Sequence, residues 1–301
     1  MKDQNFLAKV PKANIGNLVF EKTYFQIFKV LKFMISNSVL LSLNGVVVVV
    51  FGFLLESAIT VPLLFLSAFL VTFGVYGLNK FTDRAEDSIN RPETSPKTSN
   101  YYLAFSVAAM ILGFSIGLFE SILAFFVLCT PVLLGVIYSV RISKSIPRLK
   151  EIVGVKSFVV ALSWALTGSL LPDQFCTPKF QLITIVFVYI FIRVFVGTTL
   201  CDVLDKKGDL ASGVETIPIR LGRNKTKKLL LLLNSLGMLL PIYCVATGTL
   251  IRFMPAMLFG VIYGYVAIWF FFKTNCKRFT AMLMLDGEWI PIVMITCLLI
   301  L

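Results

Sequence analysis

The 301-residue chain has no histidine. That excludes a His-ligated metal, a Ser-His relay and a histidine proton shuttle, and a bound metal is expected to be a hard cation held through oxygen. Cysteine is sparse: six residues (129, 176, 201, 244, 276 and 297) stand singly with no C-x-x-C pair, which excludes a disulfide scaffold. Charge is scarce too. Only 15% of residues are charged, against about 25% in soluble domains. What fills the chain instead is apolar: 57% of residues, at a mean hydropathy of +0.88. An ordinary soluble enzyme and a disordered chain are both excluded.

Runs long enough to cross a bilayer, about 20 apolar residues, occur nine times: 33–55, 58–78, 101–119, 121–140, 152–171, 180–201, 229–250, 253–272 and 281–301. The expectation is an all-α integral membrane protein of nine transmembrane helices around a central cavity. It divides into a basic cytoplasmic arm over 1–32 and a single transmembrane domain over 33–301. The arm carries six lysines and no apolar core of its own, so no cleavable signal peptide is expected. Pro62, Pro131 and Pro241 fall inside spans, where each is expected to kink its helix.

The charge that exists is one-sided. Lys and Arg outnumber Asp and Glu by 28 to 16, and 24 of the 28 fall in the arm and in alternate loops on one side of the predicted bundle. Basic loops stay cytoplasmic, so the N-terminus is expected inside and the C-terminus outside. This distribution argues for a lipid bilayer and against a nucleic-acid partner.

Two of the loops expected on the basic side are long and acidic. After the second span come Asn79, Asp83 and Asp87, spaced i, i+4 and i+8; after the sixth come Asp202, Asp205 and Asp209. If the helices continue, each set shares one face, where stacked like charges repel. A divalent cation reverses that sign. Mg²⁺ takes six oxygens, commonly from carboxylates, water and a substrate phosphate, so paired acidic helix ends amid basic residues point to Mg²⁺ with a polyphosphate.

These residues resemble the UbiA superfamily of intramembrane prenyltransferases. Its members have nine helices, with N-x-x-x-D-x-x-x-D after the second and D-x-x-x-D after the sixth. Further matching stretches are Asn90-Arg91-Pro92, Gly154-Val-Lys156, Tyr138-Ser139 before a basic run, and the segment from Gly213 to Gly222. The resemblance implies that Asn79, Asp83, Asp87, Asp202, Asp205 and Asp209 hold Mg²⁺, in two ions, and that the five aspartates serve catalysis. The ions would grip an allylic isoprenyl diphosphate. Its C–O bond would break to an allylic cation, and a lipophilic acceptor (a quinone-precursor ring or a lipid alcohol) would capture that cation.

Candidate diphosphate partners are Lys32, which stands where the family often has an arginine, with Arg84, Arg91, Arg141, Lys144, Lys150 and Lys156; Tyr138 offers a hydroxyl. Lys156 and Arg193 lie within spans, where charge is costly. Arg193 sits nine residues before Asp202, about 13–14 Å deeper along a helix, and is expected to meet the acceptor, with Asn44 and Asn234 as weaker polar candidates. The 28 Phe and nine Tyr offer rings that could steady a cation. No protein partner is implied. Two alternatives stay open: a membrane terpene cyclase of the same superfamily, and a cation-coupled transporter.

Overall fold

A computed structural model describes residues 15–90, 100–139, 152–177, 179–273 and 278–301. Every regular element among them is a helix: α1 (Ile15–Ser36), α2 (Val39–Glu56), α3 (Pro62–Thr82), α4 (Arg84–Asn90), α5 (Asn100–Glu120), α6 (Ile122–Ser139), α7 (Val155–Asp173), α8 (Phe180–Ala211), α9 (Ile217–Leu236), α10 (Leu239–Thr247), α11 (Met254–Phe271), α12 (Arg278–Asp286) and α13 (Trp289–Ile300). Eight helices or close helix pairs are long and apolar enough to cross a membrane, and Ile122–Gly135 is a shorter apolar stretch. In hydrocarbon the backbone must satisfy itself, which is why the apolar runs are helices. The outer faces carry large apolar side chains such as Phe105, Ile111, Phe126 and Ile262. The protein is an integral, multi-pass membrane protein.

Consecutive apolar helices pack side by side, and α13 returns to α2, closing a ring. The α3–α5 pair is built on small residues, with Ser67 Oγ donating to the Gly113 carbonyl at 2.6 Å. One buried cluster joins α2, α7, α8, α11 and α13 through Val48, Phe51, Ala161, Tyr189, Met257 and Trp289. Two smaller clusters fill the α2–α3–α6 and α8–α9–α11–α12 contacts.

Several boundaries differ from those read in the sequence. The run expected from residue 33 is two helices, broken where Ser38 takes a left-handed φ of 60°. The carbonyls left at the break find partners: Lys80 Nζ donates to Ser36 O, and Tyr102 Oη donates to Asn37 O at 3.1 Å. The second half of the arm is helical in α1, where Phe28 meets Phe279 of α12 at 4.7 Å. Pro62 does not kink a helix but opens α3, where its missing N–H costs nothing. Pro241 lies in the first turn of α10, just beyond the α9–α10 break. The acidic stretches expected as loops are largely helix. α8 runs unbroken to Ala211, because its polar end turns carboxylates inward and Lys206 and Lys207 outward.

Candidate active site

The ring encloses a cavity of about 350 Å³. Asp202, Asp205 and Asp209 recur at i, i+3 and i+7 on α8, so they project from one face; they are only 3%, 8% and 1% exposed. α3 ends at Thr82, yet the helical bond pattern carries across the junction: Asp83 N–H donates to Asn79 O at 2.8 Å and Asp87 N–H to Asp83 O at 2.9 Å. Asn79, Asp83 and Asp87 therefore share the face that their spacing predicts. All six residues line the one cavity, together with Glu86 and Asp286.

One short contact holds the two motifs together. Asn90, at the end of α4, accepts a hydrogen bond from the Gly208 N–H at 2.8 Å. A Cβ on residue 208 would collide with the Asn90 amide, so glycine permits this approach. Gly208→Ala is expected to part α4 from α8 and lower kcat/KM about tenfold or more, since small misplacements of positioned groups are costly. A steady-state assay with melting measured in parallel checks this, and unchanged kcat/KM would show that the contact does not align the motifs.

Cations hold the second motif. Lys156 Nζ lies 3.0 Å from Asp202 Oδ1 and 3.0 and 3.1 Å from the two Asp209 oxygens. Ser157 Oγ donates to Asp202 Oδ2 at 2.8 Å, so both Asp202 oxygens are engaged by the protein. Arg278 Nη2 pairs with Asp205, and its Nη1 donates to Leu204 O at 3.3 Å. Among the described residues, seven carboxylates line the acidic end: Asp83, Glu86, Asp87, Asp202, Asp205, Asp209 and Asp286. Lys80 and Lys156 share that wall, and Arg278 joins them through Asp205. A surplus of hard oxygen donors beside basic groups fits Mg²⁺.

The sequence profile of the UbiA prenyltransferase family matches residues 35–285. The chain belongs to the UbiA prenyltransferase family. It is a membrane-embedded transferase, as the family's fold and chemistry require. The digeranylgeranylglyceryl phosphate synthase of Methanothrix thermoacetophila is 31% identical over 216 residues, covering 69% of this chain and 74% of that protein. The fold matches that of a UbiA homolog from Archaeoglobus fulgidus solved bound to DMAPP and Mg²⁺, with a TM-score of 0.67 at 16% identity over 89% of this chain and 99% of that one. A structure from work on digeranylgeranylglyceryl phosphate synthase in membranes matches at a TM-score of 0.57 and 19% identity, over 89% and 95% of the two chains.

The UbiA fold distributes the other candidates unevenly. Lys156 is drawn into the site. Lys32 sits on α1, which contributes Ile35 to the cavity wall one turn further on. Arg84 lies over the Phe81 ring at 3.9 Å and is exposed. Arg91, Arg141, Lys144 and Lys150 lie outside the described residues, and Tyr138 is described in its backbone only. Arg193 lines the cavity, but its guanidinium is satisfied within the protein: it pairs with Glu288, and Nη1 donates to Asn234 Oδ1 at 2.6 Å. Asn234 in turn donates to Val261 O at 2.9 Å. Asn44 also lines the wall.

Three contributors had no site role assigned from the sequence, although Asn90 stood in a stretch that matched the family. Lys80 is one residue from Asn79, Asn90 is three residues past Asp87, and Arg278 stands in the basic stretch before the last span. Each had a positional signal, but only packing selects them. Among the described residues the rings lining the cavity are Tyr76, Trp164 and Trp289, with no phenylalanine. Trp164 Nε1 donates to Tyr76 Oη at 3.1 Å, fixing both rings one or two turns below the acidic end.

Proposed function

We propose that this protein transfers an isoprenyl group from an allylic isoprenyl diphosphate to a hydroxyl of a lipid-like glyceryl phosphate acceptor. The observation that carries the reading is the convergence of Asn79, Asp83 and Asp87 with Asp202, Asp205 and Asp209 on one cavity. The acceptor class follows the name of the Methanothrix relative, whose product bears two geranylgeranyl groups on glyceryl phosphate.

In this reading Asn79, Asp83, Asp87, Asp205 and Asp209 hold Mg²⁺, in two ions. Bound Mg²⁺ supplies positive charge to the departing diphosphate. Asp202 and Asp209 both contact Lys156, and Asp202 also accepts from Ser157, so the pair fixes that ammonium within the site. Lys156 and Lys80 add fixed positive charge beside the diphosphate. The apolar wall, including Val48, Val71, Leu128 and Val160, receives the prenyl tail and excludes water. The C1–O bond breaks with its electron pair leaving on diphosphate. Tyr76 and Trp164 face the allylic cation so formed. The acceptor hydroxyl oxygen then bonds to C1 and gives up its proton to the released diphosphate. We place the acidic end in the cytoplasm, with the N-terminus inside and the C-terminus outside, because basic residues concentrate at that end.

The test is a matrix of prenyl diphosphates against prenylated glyceryl phosphates and aromatic quinone precursors, with and without chelator. The expected result is an ether-linked product that disappears with EDTA and returns with Mg²⁺. A cyclic hydrocarbon formed without acceptor would make the protein a terpene cyclase. Ion flux in proteoliposomes without prenyl transfer would make it a transporter.

A further inference from the structure

At the end of the bundle opposite the acidic motifs, three helix ends meet. α2 finishes at Glu56, α7 finishes at Asp173, and α8 begins at Phe180. Phe180 and Asp202 are 22 residues apart on α8, roughly 33 Å at 1.5 Å per residue, so this end is remote from the prenyl site. The chain turns out of α2 through Ser57, held at a left-handed φ of 53°. Ile59 N–H then donates to Phe175 O at 3.0 Å, and the Phe53 and Phe175 rings stack 6.1 Å apart. These ties fasten the turn after α2 to the turn after α7. They bring one ligand atom each from Glu56, Asp173 and Cys176 within 4.8 Å of one another.

Proximity alone would not make a site. The second observation is the state of the acceptors. Glu56 is 5% exposed, and neither of its carboxylate oxygens has a hydrogen-bond partner among the described residues. Asp173 Oδ1 and Gln174 Oε1 are buried and equally unpartnered. The orphaned atoms here are all oxygen acceptors, and the burial of a lone carboxylate costs several kcal/mol. Nearby cations do not answer the need: Arg252 donates to the Leu299 and Ile300 carbonyls, and Lys179 is exposed. A bound cation would give the Glu56 and Asp173 carboxylates a partner at once.

The donor set narrows the cation. Mg²⁺ and Ca²⁺ take oxygen ligands only. Zn²⁺ accepts a cysteine sulfur beside carboxylate oxygens, usually four ligands in a tetrahedron. Cys176 is half-buried, its Sγ 3.6 Å from the Asp173 carbonyl oxygen, so its thiol has only a weak protein partner to lose. Glu56 also walls a surface pocket with Ser57, Lys179 and Thr249, which offers an ion a path inward. We propose that Glu56, Asp173 and Cys176 form a Zn²⁺ site that staples the ends of α2 and α7 on the face remote from prenyl transfer. Glu56 lies more than a hundred residues before Asp173 and Cys176, so no short spacing announces the set.

The test uses the full-length protein in detergent, stripped with chelator, dialysed against Zn²⁺ in excess Mg²⁺ and analysed for bound metal. One equivalent of Zn²⁺ is expected in the wild type and in Asp83→Asn. Glu56→Gln and Cys176→Ser should bind it about tenfold or more weakly. Glu56→Gln is isosteric and removes a buried charge, so the comparison survives if Cys176→Ser folds poorly. Loading with Co²⁺ should give a sulfur-to-cobalt band in the near ultraviolet that Cys176→Ser lacks. Wild type without stoichiometric Zn²⁺, retention unaltered in both variants, or a Co²⁺ spectrum without the sulfur band would each overturn the proposal. Prenyl transfer is not part of the readout, so the outcome is independent of the proposed activity.

Discussion

Asp83→Asn and Asp209→Asn are each expected to lower kcat by about 10²–10³-fold, roughly 2.7–4 kcal/mol of transition-state stabilisation, the cost of removing one preorganised electrostatic group. Both substitutions keep side-chain shape and remove one negative charge. Asp83 caps α3 at its junction with α4, and Asp209 projects from α8, so the two arrive at the cavity from separate parts of the chain. Asp209→Asn leaves Lys156 its contact with Asp202 at 3.0 Å, so the second motif retains a cation anchor. Melting in detergent should change little in comparison with turnover. If the carboxylates act on one bound group, the double variant should be little slower than the worse single one, because effects within a unit do not add. Near-normal turnover in either variant would remove that carboxylate from the site, and fully multiplied losses would separate the two motifs.

Glu288→Ala is expected to destabilise the protein by about 3–5 kcal/mol, because it strands a buried arginine. Arg193 and Glu288 are 2% and 3% exposed, and they tie α8 to the start of α13. Asn234 extends the tie to α9, and Gly264 on α11 leaves room for it, since a Cβ there would strike both Asn234 and Arg193. Replacing both charges, as in Arg193→Met with Glu288→Leu, should recover most of the loss, since a well-packed apolar pair often matches a buried ion pair. Thermal unfolding of the three proteins in one detergent checks this. Equal stability of Glu288→Ala and wild type would mean that Arg193 finds another partner or water from the cavity. Activity of the folded double variant reports separately on whether Arg193 also serves the acceptor.

The history of Arg193 shows how far the sequence could be read. Its cost within a span was legible, and so was the need for a partner. The partner was not, because Glu288 lies 95 residues away and registers in sequence only as an interruption of the last apolar run. That interruption is a real break, with Gly287 between α12 and α13. The acidic spacings were legible because i, i+4 and i+8 fix a helix face whatever surrounds it. Lys156 was legible as a charge at the end of a span. Its choice of Asp202 and Asp209 over Asp205 was not, since rotation of α7 against α8 decides it. Hydropathy found the apolar runs but passed over the left-handed residue at Ser38, a break that costs no hydrophobicity. The rings were read by abundance, yet the cavity took Tyr76 and Trp164, which can hold each other by a hydrogen bond. Among the described residues the phenylalanines lie outside the cavity wall.

In the proposed function, two acidic helix ends hold a prenyl diphosphate through divalent metal. Electron–nuclear double resonance of the protein loaded with Mn²⁺ and a non-reactive prenyl thiodiphosphate tests it most directly. The expected result is a phosphorus coupling to bound Mn²⁺ that is lost in both Asp83→Asn and Asp209→Asn. Bound Mn²⁺ without phosphorus coupling, or coupling that survives the loss of the Asp83 charge, would contradict it.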